Sequence, residues 1–316
     1  MRAFRLKLLA YKNTRKAMIL IREFQPNTEK GIQFRKALIV TVVGNIFLAL
    51  LKGTAAYFSE SAALYSDAIN SISDVVYSVF LIIGLSISQK PPDHSHPQGH
   101  DRFEPLMGLI ITISMTLAGV EAMRSSISRF ISGGAEISLG IPTIALLVSA
   151  LSKTSMFLII RSIARKIVSP GLDAAAKDNL SDILTSMAAL IGIIGSKYIH
   201  PVLDPIAGIL VSVWIFRAAL SVGKENLSFL TGGSPDEEIK DKILDVAKTV
   251  PGVVDVHQMV TEYVGPKIVV DMHIDIDQNI NLQQAHEISD RVAEALLAIP
   301  EVDRAYIHPE PIDPHK

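Results

Sequence analysis

Apolar residues fall into six long runs, roughly Ala37–Phe58, Ser61–Ser88, Pro105–Ser125, Ile141–Ala164, Ala174–Ile199 and Pro205–Val222. Each is near or above the ~20 residues a helix needs to cross a bilayer. A membrane barrel would instead show alternating segments of ~10 residues, and these runs are continuous. Ser132-Gly133-Gly134 separates the third from the fourth, and His200-Pro201 with Asp204-Pro205 separates the fifth from the sixth. The pattern changes after 234. Pro235-Asp236-Glu237-Glu238 opens a helix with acidic residues that suit its dipole, and Pro251-Gly252 ends it. Val253–Glu262 and Lys267–Asp277 read as strands joined across Gly265-Pro266. Leu282–Ile299 has helical spacing, and Arg304–His308 is a short last strand. The order α-β-β-α-β predicts a ferredoxin-like α+β domain whose one-faced sheet favours pairing with a second copy.

Composition agrees with a membrane body carrying a polar domain. The 316 residues are 49% hydrophobic and 20% charged, with mean hydropathy +0.34. There is no cysteine, hence no disulfide, thiolate metal site or thiol nucleophile. The net charge of −2 conceals +8 over residues 1–36, zero over 37–234 and −10 over 235–316. Three parts follow: a basic arm 1–36, a six-helix membrane body 37–234 and an acidic soluble domain 235–316. The arm lacks a signal-peptide form. It reads equally as an amphipathic segment on anionic lipid or as a tail that fixes topology. With the arm inside, the inner loops carry Lys90, Arg102, Arg161, Arg165, Lys166, Arg217 and Lys224, against Arg124, Arg129 and Lys197 outside. Six spans return the chain to the cytosol, so both termini are expected on the cytosolic face of the cell (inner or plasma) membrane. Lipids are expected partners, and nucleic acid is not.

Several acids lie inside the spans. Asp67, Asn70 and Asp74 share one face of the second helix, extended by Ser71 and Ser78, and Asp178 and Asp182 stand at i, i+4 in the fifth. An Asp at mid-bilayer costs roughly 2.5–3.5 kcal/mol on insertion scales, and such residues usually mark an ion pathway. Two helices giving two oxygen ligands each make a four-ligand site: Asn70, Asp74, Asp178 and Asp182, with Asp67 as an accessory. Oxygen ligands favour hard cations such as manganese, magnesium or calcium, and carboxylates exchange protons for metal. No Walker A loop is present, so no ATP drive is visible. Lys153, in the fourth span, pairs with Glu121 of the third, snorkels, or faces a wet cavity; the sequence leaves all three open.

Histidines gather in two places. The loop after the second span reads Asp93-His94-Ser95-His96-Pro97-Gln98-Gly99-His100-Asp101-Arg102-Phe103-Glu104, with His96 and His100 flanking a Pro–Gly turn. It reads as a metal site or as a polar loop with histidine caps. In the last domain His257, His273, His286 and His308 come from three strands and a helix, with Glu310 just after. Metal ligation and half-buried structural histidine stand about level there.

These motifs together resemble the cation diffusion facilitator family of metal/proton antiporters over about residues 35–312. The resemblance rests on Ser61-Ala62-Ala63-Leu64-Tyr65-Ser66-Asp67-Ala68-Ile69-Asn70-Ser71-Ile72-Ser73-Asp74, the stretch His96 to Glu104, Asp178-Asn179-Leu180-Ser181-Asp182 and Asp204-Pro205-Ile206-Ala207-Gly208. It implies a transport site at Asn70, Asp74, Asp178 and Asp182, an inner-loop site at Asp93, His96 and His100, and a dimer-interface site at His257, His273, His286, His308 and Glu310. Zinc-type members commonly carry histidine where Asp178 stands, so the oxygen set is similar to the manganese-type branch. A basic residue at Arg102 is expected to pair with an acid on the sixth helix, but that position is Thr231 here.

The resulting expectation is a homodimeric secondary transporter, not an enzyme. It exports a divalent cation, Mn2+ foremost and Fe2+ or Zn2+ as alternatives, in exchange for protons by alternating access, with a regulatory metal in the cytosolic domain. A non-transporting metal sensor and an intramembrane aspartyl protease are the readings from other classes; the protease lacks a Gly-x-Gly-Asp signature.

Overall fold

A computed structural model describes residues 28–59, 62–133 and 140–312. The arm up to residue 27 lies outside the described residues, as do the side chains of Asp67 and Asn70. The chain forms two compact units, Met1–Asn226 and Leu227–Lys316.

Six long helices carry the apolar runs: α1 Thr28–Ser59, α2 Ala62–Ser88, α3 Phe103–Ile131, α4 Ile141–Ile167, α5 Pro170–Tyr198 and α6 Leu203–Thr231. The first starts nine residues before its apolar run because Phe34 and Ala37 are buried there, so packing extends the helix past the hydropathy signal. All six are long and apolar enough to span a membrane, and only 22–33% of each apolar window is buried inside the unit. Ile39, Leu50, Leu151 and Leu210 point outward, while Asn45, Ser78, Lys153 and Asn179 are buried. Such a surface suits hydrocarbon rather than water. The unit is therefore a multi-pass membrane bundle with its polar groups inside.

Helix α1 packs on α2 and α4, α4 on α5, and α3 on α2 and α5. The core joins Phe34, Leu48, Leu85, Met115, Met156, Ile160 and Leu172. Small residues let helices approach closely. Ala174, Ala175 and Ala176 of α5 are all buried, and a Cβ at Gly44 would meet the Met156 thioether. The α4–α5 junction is tight. Val168 closes α4 in the left-handed region at φ 50°. Ser169 then caps α5, accepting a hydrogen bond from the Leu172 N–H, and its hydroxyl donates to the buried Glu104 carboxyl of α3.

The second unit contains α7 Glu237–Lys248, β1 Asp255–Val264, β2 Lys267–Ile276, α8 Leu282–Leu297 and β3 Val302–Pro311. This is the expected small α+β domain. Strand order is β1-β2-β3; β1 and β2 pair antiparallel, β2 and β3 parallel across α8. Asn281 and Gln284 form a capping box at the start of α8. Ile268, Val270, Met272 and Ile274 of β2 enter a core with Ile243 of α7 and Val292 and Leu296 of α8. Alternation sends Asp271, His273 and Asp275 to the other face. The last strand is longer than its alternating stretch, because β2 pairs on through Pro309 and Pro311 at the sheet edge, where proline is tolerated.

Ser169→Ala should lower the thermal midpoint of the purified protein. The lost cap costs about 1 kcal/mol, plus the cost of leaving the buried Glu104 carboxyl with one hydrogen bond fewer. A melting curve identical to wild type would show that the junction does not hold α3 to α5.

Candidate metal sites

Within the bundle, Asp74 of α2 meets Asp178 and Asp182 of α5. A ligand oxygen from each lies within 4.8 Å of the others. The i, i+4 spacing of Asp178 and Asp182 puts both on the face of α5 that meets Asp74, along one interior seam. The ammonium of Lys153 on α4 enters this seam, 2.9 Å from Asp74 Oδ2 and 2.7 Å from Asp182 Oδ2. It also donates to Asn45 Oδ1 at 3.2 Å. Asn45 of α1 is held in turn, its amide donating to Ser78 Oγ at 2.8 Å. A cavity of about 30 Å³, room for a water or two, is lined by Asn45, Asp74, Tyr77, Ser78, Asp178 and Asn179. Ser71 Oγ and Asn179 Oδ1 are buried without hydrogen-bond partners among the described residues. Carboxylates this close share a divalent cation readily.

Of the readings the sequence leaves open for Lys153, the pairing with Glu121 is not formed. Glu121 is exposed and pairs with Arg124 at 3.7 Å on its own helix; Lys153 turns to the acids instead. Asn45 is the member the sequence reading missed. Its signal was the same as that of Asp74, a polar amide inside an apolar span.

In the loop after α2, Asp93 bends the chain by accepting from the N–H groups of Ser95 and His96, at 2.9 and 2.7 Å. Its oxygens lie 3.6 Å from His96 Nδ1 and 3.4 Å from His100 Nε2. The His96 N–H holds the Asp93 carboxyl below its usual value. Gly99, at φ +106°, makes the turn that brings the two rings to 4.6 Å. His100 is buried with Nδ1 unpartnered among the described residues. His94 is not in this group.

On the helix-free face of the sheet, His273 Nδ1 is 2.7 Å from Glu310 Oε1 and His257 Nδ1 is 3.0 Å from Asp275 Oδ1. His257 Nε2 also lies 3.5 Å from Glu310 Oε2. A register shift between Val256 and Gln258 sets His257 as the extra residue of a β-bulge, which re-aims a side chain beside its neighbours. Parallel pairing places His308 opposite His273, with rings 4.8 Å apart. His286 is not brought into this group within one chain. It sits on α8, which covers the opposite face, and pairs with Asp290 at 3.5 Å. Thr231, where the resemblance implies an acid, donates to the Leu227 carbonyl of its own helix.

The fold is that of a multi-pass membrane protein carrying a small α+β domain. The family profile for the cation efflux transmembrane domain matches residues 38–231, and that for the cation efflux protein cytoplasmic domain matches residues 235–312. The chain belongs to this cation efflux, or cation diffusion facilitator, family of metal transporters. It is similar to an uncharacterised transporter of Methanocaldococcus jannaschii, 35% identical over 286 residues, covering 89% of this chain and 99% of the relative. It is also similar to the manganese efflux system protein MneS of Bacillus subtilis, at 28% over 278 residues, 87% of this chain and 94% of that one. The magnetosome protein MamM of Paramagnetospirillum magneticum matches at 28% over 265 residues, 80% of each.

Hydrogen bonding from His273 first, then the charges of the neighbouring histidines, holds the Glu310 carboxyl below its ordinary 4.5. A depressed folded value means stability that is fully present above 4.5 and is lost as pH falls through the folded value. Acidification below pH 4.5 should therefore loosen β2–β3, and Glu310→Gln should flatten that loss. Amide exchange in β3 measured across this range would refute the assignment if both proteins respond alike.

Proposed function

We propose that the protein exports a cytosolic divalent cation, Mn2+ foremost, in exchange for protons by alternating access. The convergence of Asp74, Asp178 and Asp182 from two spanning helices supports this most directly. Asn70, one turn before Asp74 on α2, supplies the fourth ligand. An all-oxygen set favours hard cations, whereas imidazole at Asp178 would favour zinc. The family membership supports efflux, and the likeness to a protein named for manganese efflux agrees with the ligand chemistry. Proton exchange is the chemistry that carboxylate ligands make natural, since metal and proton compete for the same oxygens.

The same reading assigns the remaining parts. Residues 1–36 form a cytosolic arm, 37–234 the transport domain and 235–316 the cytosolic domain, with both termini on the cytosolic face of the cell membrane. The −10 domain dimerises with a second copy, and a regulatory metal at His257, His273, His308 and Glu310, with His286, draws the acidic faces together. Asp93, His96 and His100 form a loop site on the cytosolic side. Imidazole in these two sites suits zinc better than the transported ion.

Asp74→Ala and Asp182→Ala should each reduce Mn2+ efflux from proteoliposomes to the protein-free background while the protein stays folded and dimeric. A panel of manganese, iron, zinc, cobalt and cadmium should show wild type preferring manganese and Asp178→His shifting toward zinc. Unchanged transport in both alanine variants sinks the site, and a wild type that moves zinc far faster than manganese sinks the ligand-hardness argument.

A further inference from the structure

We propose that Lys153 is the resident cation of the transport site, and that a divalent ion loads by displacing its ammonium from Asp74 and Asp182. This rests on the transport reading above. Lys153 is 2% exposed and comes from α4, a helix that supplies none of the acids. Three oxygens from three other helices surround its ammonium: Asn45 Oδ1 of α1, Asp74 Oδ2 of α2 and Asp182 Oδ2 of α5. The ammonium donates hydrogen bonds to Asn45 and Asp74 and lies in ion-pair contact with Asp182, so it occupies the seam where the metal ligands converge.

The two occupants exclude each other. A hard divalent ion of magnesium size or larger sits about 2.0–2.6 Å from its oxygens, on the same atoms that the ammonium approaches at 2.7 and 2.9 Å. Both at once would press a divalent ion against a fixed positive charge. Lysine has a flexible four-carbon stem and can retract. Asn45, fixed by Ser78, gives it a partner to keep when it leaves the acids. Asn45 is therefore a positioning residue for the lysine.

Two consequences follow. The tethered cation weakens metal affinity in proportion to the time it occupies the site, and it returns to the carboxylates when the metal leaves, which favours release. It also selects for charge, because a monovalent ion gains no more from the acids than the lysine already does.

The test compares the full-length wild type with Lys153→Met, which keeps the stem and removes the charge, and Lys153→Arg, which keeps the charge. Mn2+ affinity is read by calorimetry, thermal midpoint with and without Mn2+, and KM and kcat for efflux in proteoliposomes. Lys153→Met should bind Mn2+ about tenfold more tightly, as expected when an occupant filling about nine-tenths of the unloaded sites is removed. Its metal-free midpoint should fall, its Mn2+-induced rise should grow, and KM and kcat should fall together. Lys153→Arg should stay within about threefold of wild type, since the competing charge remains. Equal or weaker affinity in Lys153→Met overturns the inference, because a merely structural lysine loosens the ligands when lost. If Lys153→Met does not fold, Lys153→Gln carries the same expectation and the same overturning result. A wild type that binds none of the five panel cations overturns the transport reading and this inference together; a wild type that transports alongside unaltered lysine-variant affinities overturns this inference alone.

Discussion

A bundle whose outer surface meets hydrocarbon must keep the charges in its interior paired. Asp74, Asp178 and Asp182 crowd one seam, and each unpaired acid at such depth costs roughly 2.5–3.5 kcal/mol on insertion scales. Lys153 offsets that cost, and it ties the packing together in doing so. Its partners come from α1, α2 and α5, and its own stem comes from α4. These are the helices in direct contact with one another, α1 with α2 and α4, and α4 with α5. The same network that makes a cation site tolerable in lipid therefore sets which helices stay together when the site is empty.

The position of the acids on α5 depends on how that helix begins. Ser169 starts it, Glu104 anchors Ser169 to α3, and Ala174, Ala175 and Ala176 let the next turns sit close to neighbouring helices. Asp178 and Asp182 follow one and two turns later. A shift at the junction would carry both carboxylates along the seam, since a helix moves as a rigid rod. Val168, in the left-handed region where a β-branched residue rarely sits, marks how tightly the chain is turned just before the site begins.

Much of this was legible in residue order, and the rest failed for identifiable reasons. Hydropathy runs report lipid exposure, so they located the six spans but not the start of α1, where Phe34 packs inward beyond the apolar run. The acids of α2 and α5 announced themselves because helical spacing puts them on one face without any knowledge of neighbours. Lys153 did not reveal its partner, because the rotation of α4 against α2 and α5 is a tertiary fact. Glu121 looked like a partner by depth, yet it lies on an exposed face with Arg124 one turn away. In the second unit, alternation placed His273 and Asp275 correctly, whereas the bulge at His257 has no period-two signature.

The two kinds of site use different chemistry, and their surroundings explain why. Inside the bundle the candidate ligands are hard carboxylates faced by the Lys153 ammonium, in a place where charge is expensive and must be balanced at close range. On the sheet face of the α+β unit, imidazoles alternate with Asp275 and Glu310 in contact with solvent, where water already softens the cost of charge. That unit carries −10, so two such faces approaching each other repel. A divalent cation held by His273, His257 and Glu310 would cancel charge on the face itself rather than at its rim. Under the proposed reading, metal at that surface acts through the approach of two acidic domains, while metal in the bundle acts through the exchange of one buried cation for another.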